Sequence, residues 1–328
     1  MLDKSKIPNL KAELVKERDY KIIDLKKPDE LLERAFTEAG ITSVANTCGI
    51  PAGYLNKVYE KDRDLFRANV RYWAQVAEIT AKHKVITKGD MVAGICKMSH
   101  ELISAEEILG KVEDLFEKEH WEGEVVQMVV SPRDTFLNVV FKDVEKNAGT
   151  AEVGDLLNAG FSLSHSMLGE YIDKMEAFVN RLACTNQMTV HDSRYGWKKD
   201  LSEGYSNYFQ VLNSYVEHAY ETGEDVLSRF ISMQSIKVED PIAAINSTAT
   251  KMGVGARATN TILSTLSDPK VKVENMYDVI NLFTYYATHV VEDPYVGRGM
   301  QRRAGEMMSV TVCDNCHQVV KQMKSSDN

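Results

Sequence analysis

No stretch of this chain approaches the roughly 18–20 consecutive apolar residues of a membrane-spanning helix, so no membrane span is expected. Proline is scarce, at 7 of 328 residues, and no low-complexity run interrupts the chain. With 44% hydrophobic and 27% charged residues, that scarcity excludes disorder as the main state. The cysteines are few and odd in number (Cys48, Cys96, Cys184, Cys313 and Cys316), and their scatter suits a reducing cytosol better than a disulfide framework. Behind the charged start Met1-Leu2-Asp3-Lys4-Ser5-Lys6 lies no apolar core, so a signal peptide is not expected and the expected location is cytoplasmic. There is no Gly-x-x-x-x-Gly-Lys-Ser/Thr loop for phosphates and no His-x-x-x-His pair. ATP-driven and metallohydrolase chemistry therefore have no anchor, and no cofactor is expected.

The charge that is present is mostly negative, a net of −9, which argues against a bulk electrostatic binder of polyanions. Its distribution is uneven. Residues 101–176 hold 17 acids and 6 bases, a net of −11, whereas residues 251–303 hold 7 bases and 5 acids, a net of +2. A basic face in the C-terminal third thus remains open.

Periodicity divides the chain into an α+β pattern. After an arm over 1–27, helical spacing begins near Asp29 and resumes from Ile41 to Cys48, a turn falls at Gly49, and a second helix follows Pro51. Val44, Ala45, Ile50, Leu55 and Val58 take packing positions in a spacing that imitates a helix-turn-helix. The second helix opens with Pro51-Ala52-Gly53-Tyr54, which offers no group to read a base edge, so packing is the expected role. A third helix spans Leu65–Trp73, with Arg63, Arg67 and Arg71 striping one face. Hairpins are expected around Lys88-Gly89-Asp90 and Ser131-Pro132-Arg133-Asp134, and Ser104 with Glu107 forms a capping box for a helix through Phe116. Strand patterns continue over 156–164 and 178–190, and a tight turn is expected at Thr185-Asn186, where Asn tolerates left-handed backbone. From Tyr205 onward the chain is helical, with one long amphipathic stretch over Tyr208–Met233 and a bend at Gly253-Val254-Gly255. The expected organisation is a helical part over 1–80, a mostly antiparallel sheet over 81–195, a helical bundle over 196–310 and a tail over 311–328, packed as one interlocked unit.

One run carries a likeness: Gly154-Asp155, then Gly160-Phe161-Ser162, Ser166 and Gly169, followed by Arg181-Leu182-Ala183-Cys184-Thr185-Asn186. This resembles a family of phage- and plasmid-encoded proteins known as domain of unknown function 932. Gly49–Trp73 and Asp278–His289 look like the same family, and the likeness covers most of 40–305. It departs at Gln187, where the family usually has glycine. The resemblance implies a place in phage DNA metabolism, recombination included, in the cytoplasm of a host cell.

The helical C-terminal third offers the candidate interface. Lys251, Arg257, Arg298, Arg302 and Arg303 fall near Tyr285 and Tyr286, a pairing of guanidinium and aromatic groups that suits phosphates and stacked bases of single-stranded nucleic acid. The plainer alternative is a set of solvated helix faces with both tyrosines in the core. Cys184 with His165, His191 or His289 would make a nucleophile and base, against which a small cysteine in an apolar run is ordinarily a packing residue. Cys313, Cys316 and His317 give at most three zinc ligands where a closed site needs four, so no metal is expected. The leading expectation is a non-enzymatic, homo-oligomeric single-stranded-DNA-binding protein, a strand-annealing or recombination factor. The alternatives are an acidic protein-interaction factor acting on a host protein, and a Cys/His-dependent enzyme.

Overall fold

A computed structural model of the chain describes residues 1–7, 14, 17, 19–27, 29–131, 133–149, 155–169, 173–182, 186–190, 196–199, 205–312 and 319–321. Within these the α+β class holds, with helices at both ends around a mixed central sheet.

The N-terminal unit is not purely helical. The hairpin β4 (His83–Lys88) and β5 (Met91–Lys97) pairs with β2 (Tyr20–Ile23) on one side and β3 (Ala35–Phe36) on the other, giving a four-stranded sheet of its own. Helices α1 (Asp29–Leu32), α2 (Glu38–Cys48), α3 (Ala52–Lys61), α4 (Arg63–Val76) and α5 (Ile79–Lys82) belong to this unit. It has its own core, in which Phe36, Phe66 and Tyr59 meet edge to face, so the hairpin expected in the central sheet is part of the N-terminal unit instead. The hairpin serves two cores: Val85, Val92 and Ile95 face the helices, while Ile86, Ala93 and Cys96 pack against Leu168, a β-bulge in the β4–β5 register letting residues three apart share a face.

The larger sheet runs β1 (Leu2–Asp3), β6 (Gly123–Val129), β7 (Thr135–Asn147), β8 (Leu156–His165), β9 (Asp173–Arg181) and β10 (Asn186–Val190), with β11 (Gly196–Lys199) also on β9. Only β1–β6 is parallel, so the expected antiparallel character holds for the rest. Asn186 is not in a left-handed turn. It opens β10 opposite Arg181, in extended pairing.

Helix α6 (Ala105–Lys118) starts at the expected Ser104–Glu107 capping box. The expected long helix is two, α7 (Tyr205–Glu221) and α8 (Gly223–Ser232). They part at Gly223, where an added Cβ would lie 2.8 Å from Val144 Cγ1 and 2.9 Å from the Ala159 Cβ, so the close approach to the sheet bends the path. Four more helices follow: α9 (Pro241–Lys251), α10 (Ala256–Ser264), α11 (Met276–His289, capped by Asn275) and α12 (Pro294–Glu306). Strands β12 (Val310–Val312) and β13 (Val319–Lys321) pair antiparallel and complete the described chain. Leu137, Val139, Phe141, Leu157, Phe161, Met175 and Val179 form the apolar face of the large sheet, in one core with Leu212, Tyr215, Val216 and Leu227 of α7 and α8.

Candidate functional site

The opposite face of the large sheet is built differently. Asn138, Asn158, Ser162, Ser164, Glu176, Asn180, Gln187 and Thr189 alternate with the core residues, and all are buried. Pairing aligns them in rows across the strands: Gln127 opposite Asn138, Asn138 opposite Ser162, and Ser162 opposite Glu176. A buried polar face must be answered by polar groups from whatever covers it. Here α12 answers. Arg298 donates to the Ser162 and Ser164 hydroxyls, with its guanidinium 4.7 Å from the centre of the Phe136 ring. Arg302 Nε lies 2.9 Å from Glu176 Oε1, and Asn138 donates to the side-chain oxygens of Gln127 and Gln187. Among the described residues Asn138 Oδ1, Thr189 Oγ1 and Gln301 Oε1 find no partner in this layer.

This geometry divides the expected C-terminal interface. Arg298 and Arg302 turn inward onto the sheet, and Arg303 Nη1 donates to the carbonyl of Met252, 2.6 Å away, at the end of α9. Tyr286 is partly buried against the main core. Lys251, Arg257, Arg303 and Tyr285 are exposed, the Tyr285 ring lying 4.7 Å from that of His289. Arg302→Ala therefore acts on folding: it strips the guanidinium from a Glu176 side chain that is only 6% exposed. Because Arg302 itself keeps 33% exposure, the expected loss is about 2–3 kcal/mol, below the 3–5 kcal/mol of a fully buried pair, measured by denaturant unfolding.

The motif residues have structural partners. Arg181 grips Asp155 with two bonds, Nε to Oδ1 at 2.6 Å and Nη2 to Oδ2 at 2.9 Å, tying the start of β8 to the end of β9. Asn186 donates to the carbonyl of Asn281 in α11. The Ser166 backbone N–H donates to Asp173 Oδ1, and Gly169 turns at φ +67° beside His100. Gly154, Cys184, His191, Cys313, Cys316 and His317 lie outside the described residues. Of the other cysteines, burial pushes the thiols of Cys48 and Cys96 up to about 11 and about 12, which leaves both as poor nucleophiles.

His165 is wholly buried, with Nδ1 2.6 Å from Asp173 Oδ2 and Nε2 2.7 Å from the Ile103 carbonyl oxygen; Tyr208 also donates to Asp173. A neutral imidazole has one N–H, so two facing acceptors select the doubly protonated ring. Burial opposes that charge, but the attraction and hydrogen bond of Asp173, the Ile103 carbonyl and the charge of Glu17 outweigh it and raise the pKa above 6.5. With a folded pKa above the unfolded one, the stabilisation is complete below pH 6.5 and is lost as pH rises through the folded value. Thermal midpoints measured from about pH 6 to about pH 9 should fall in the native protein, and His165→Gln should flatten the profile at a lower level. Held at both nitrogens, His165 does not offer itself as a base.

The feature that sequence reasoning passed over is on α3 and α4. Of fourteen large apolar side chains exposed among the described residues, five are here: Tyr54, Leu65, Tyr72, Trp73 and Val76. Leu65, Tyr72 and Val76 share one flank of α4 by their spacing of seven and four, and Asn69 on that flank donates to the Tyr54 hydroxyl. Phe66, Val70 and Ala74 bury the opposite stripe. Arg67 and Arg71, each with a side chain 55% exposed, make solvent-facing pairs with Asp64 and Asp29, a type worth about 0–1 kcal/mol and readily exchanged for a phosphate. Charge is segregated to match. Residues 20–97 carry 13 bases and 10 acids, a net of +3, which leaves −12 of the total −9 on the rest of the chain. The available signal was the surplus of aromatic and apolar residues on α4 beyond the single stripe that its packing needs. No family model, no curated protein and no solved structure matches the chain.

Proposed function

We propose that the chain is a single-stranded-DNA-binding protein of phage DNA metabolism, a homo-oligomeric strand-annealing or recombination factor working in the host cytoplasm. The observation that carries this reading is the exposure of Tyr54, Tyr72 and Trp73 on α3 and α4, in a unit that also exposes Arg67 and Arg71 and is positively charged in an acidic protein. Aromatic faces stack bases of any sequence, and guanidinium groups next to them neutralise the backbone. The resemblance of residues 49–73, 154–169, 181–186 and 278–289 to the phage and plasmid family supports the same biology. The interface therefore moves from the C-terminal helix to the N-terminal unit, because Arg298 and Arg302 are turned onto the buried sheet face.

The test is a mobility shift with labelled single strands across a salt series. Binding should weaken steeply with salt as counterions are released, and Tyr72→Ala and Trp73→Ala should each cost about 1–3 kcal/mol of affinity with unchanged thermal midpoints. Absence of a shift at low salt would remove the reading. The net −12 of the chain outside residues 20–97 would then favour the second one, an acidic factor that occupies a host protein's nucleic-acid groove.

A further inference from the structure

A cavity of about 200 Å³ lies where Leu14, Glu17 and Tyr20 meet the start of α6 and Met167, which follows β8. A water takes about 30 Å³ of liquid, so the space accommodates a molecule of about six non-hydrogen atoms or more. Leu14, Leu102 and Met167 give it an apolar wall, and Glu17, Glu106 and Glu107 give it three carboxylates. No lysine or arginine among the described residues lines it. Glu106 and Glu107 are exposed, whereas Glu17 is only 4% exposed, so one acid stands at the depth of the cavity and two at its mouth.

Glu17 is the informative residue. Its Oε2 accepts from the Ala105 N–H, 2.6 Å away in the first turn of α6. Its Oε1 has only the Thr135 hydroxyl, at 3.5 Å, and that hydroxyl lies 2.9 Å from the Ser131 carbonyl oxygen. A threonine has one hydroxyl proton, and the shorter contact takes it. The charge of His165 acts on Glu17, yet both N–H groups of that ring are spent on Asp173 and the Ile103 carbonyl. Among the described residues Glu17 Oε1 is therefore left without a donor, in a side chain that is almost wholly buried and lines a cavity. Burial pushes the Glu17 carboxyl above its ordinary value, against the pull of the Ala105 N–H and the His165 charge. A buried carboxylate oxygen in this condition calls for a donor, and a charged one serves it best.

We infer that this cavity binds a small aliphatic amine, whose ammonium group donates to Glu17 Oε1 while its carbon chain lies against Leu14, Leu102 and Met167. A second ammonium on the same chain gains from the charges of Glu106 and Glu107 at the mouth, so a diamine is preferred to a monoamine. None of these residues lies on α3 or α4, so the site stands or falls independently of nucleic-acid binding.

Titration calorimetry of the full chain with 1,4-diaminobutane, n-butylamine and n-butanol tests this. The diamine should bind at one site and more tightly than the monoamine. The alcohol, which carries the same chain without the charge, should bind at least about tenfold more weakly than either. Glu17→Gln keeps the shape and should weaken both amines by about tenfold or more. Leu102→Trp, at a half-buried position where the larger ring fills the space, should abolish binding of both, and it decides the matter should Glu17→Gln fail to fold. Glu106→Gln, at an exposed position, should narrow the diamine's advantage and leave the monoamine unchanged. Saturable binding of neither amine, or equal binding of the alcohol, would overturn the assignment. So would amine binding that survives Glu17→Gln or Leu102→Trp unchanged, because that marks adsorption of cations to the acidic surface at large.

Discussion

Gly160→Val should abolish the folded state, and Gly160→Ala should come close. Gly160 is central in β8, between Val140 of β7 and Phe178 of β9. An added Cβ would lie 2.7 Å from Val140 Cα and closer still to the Val139 carbonyl oxygen. Both are backbone atoms of a paired strand, so no rotamer change relieves the clash. Relief demands that β7 and β8 separate, which breaks the ladder between the apolar core and the polar layer. Overpacking in a core ordinarily costs 1–3 kcal/mol; a clash with backbone at the centre of a sheet belongs above that range, about 4 kcal/mol or more. Against a total stability of roughly 5–15 kcal/mol, the valine variant is expected to be insoluble and the alanine variant to melt at a far lower temperature. An alanine variant with a native thermal midpoint would show that the strands can yield here.

Asp155→Ala should be the second severe substitution, with a loss of about 3–5 kcal/mol in urea unfolding. Asp155 is wholly buried and Arg181 is only 14% exposed, so removing the carboxylate takes the two-bond partner from a guanidinium in a site of low dielectric. The guanidinium carbon is also 5.7 Å from the centre of the Tyr277 ring, which places the pair against α11 and the main core. Asp155→Asn keeps the shape and one acceptor and should cost less. Replacing both partners by apolar residues of similar volume should recover much of the loss, because the penalty comes from the uncompensated charge. A double variant no more stable than Asp155→Ala would show that the pair's geometry, rather than its charge balance, holds β8 to β9.

The two substitutions also mark what was legible in the sequence. Gly160, Asp155 and Arg181 stood out as members of one run, but their partners did not. Nothing local says that Gly160 faces a carbonyl, or that Asp155 and Arg181, 26 residues apart, meet across adjacent strands. Periodicity located the helices and hairpins well, since burial of one face imposes it directly. It could not assign β4 and β5 to a sheet, because a strand pattern is silent about its neighbours. The C-terminal arginines show the same limit. Arginine beside tyrosine on a helix looks alike whether it faces solvent or a buried polar sheet, and the polar residues that claim Arg298 and Arg302 come from β8 and β9, far away in the chain.

Local sequence thus determined the class, the helix starts at Ser104 and Asn275, the stop at Gly49 and the strands on either side of Gly89, because caps, turns and alternation act over a few residues. Tertiary structure alone decided which arginines are committed, that one sheet face is polar and covered, and that the surplus aromatics of α4 remain outside. Those outcomes depend on which surfaces long-range pairing leaves uncovered, and short-range spacing does not encode them.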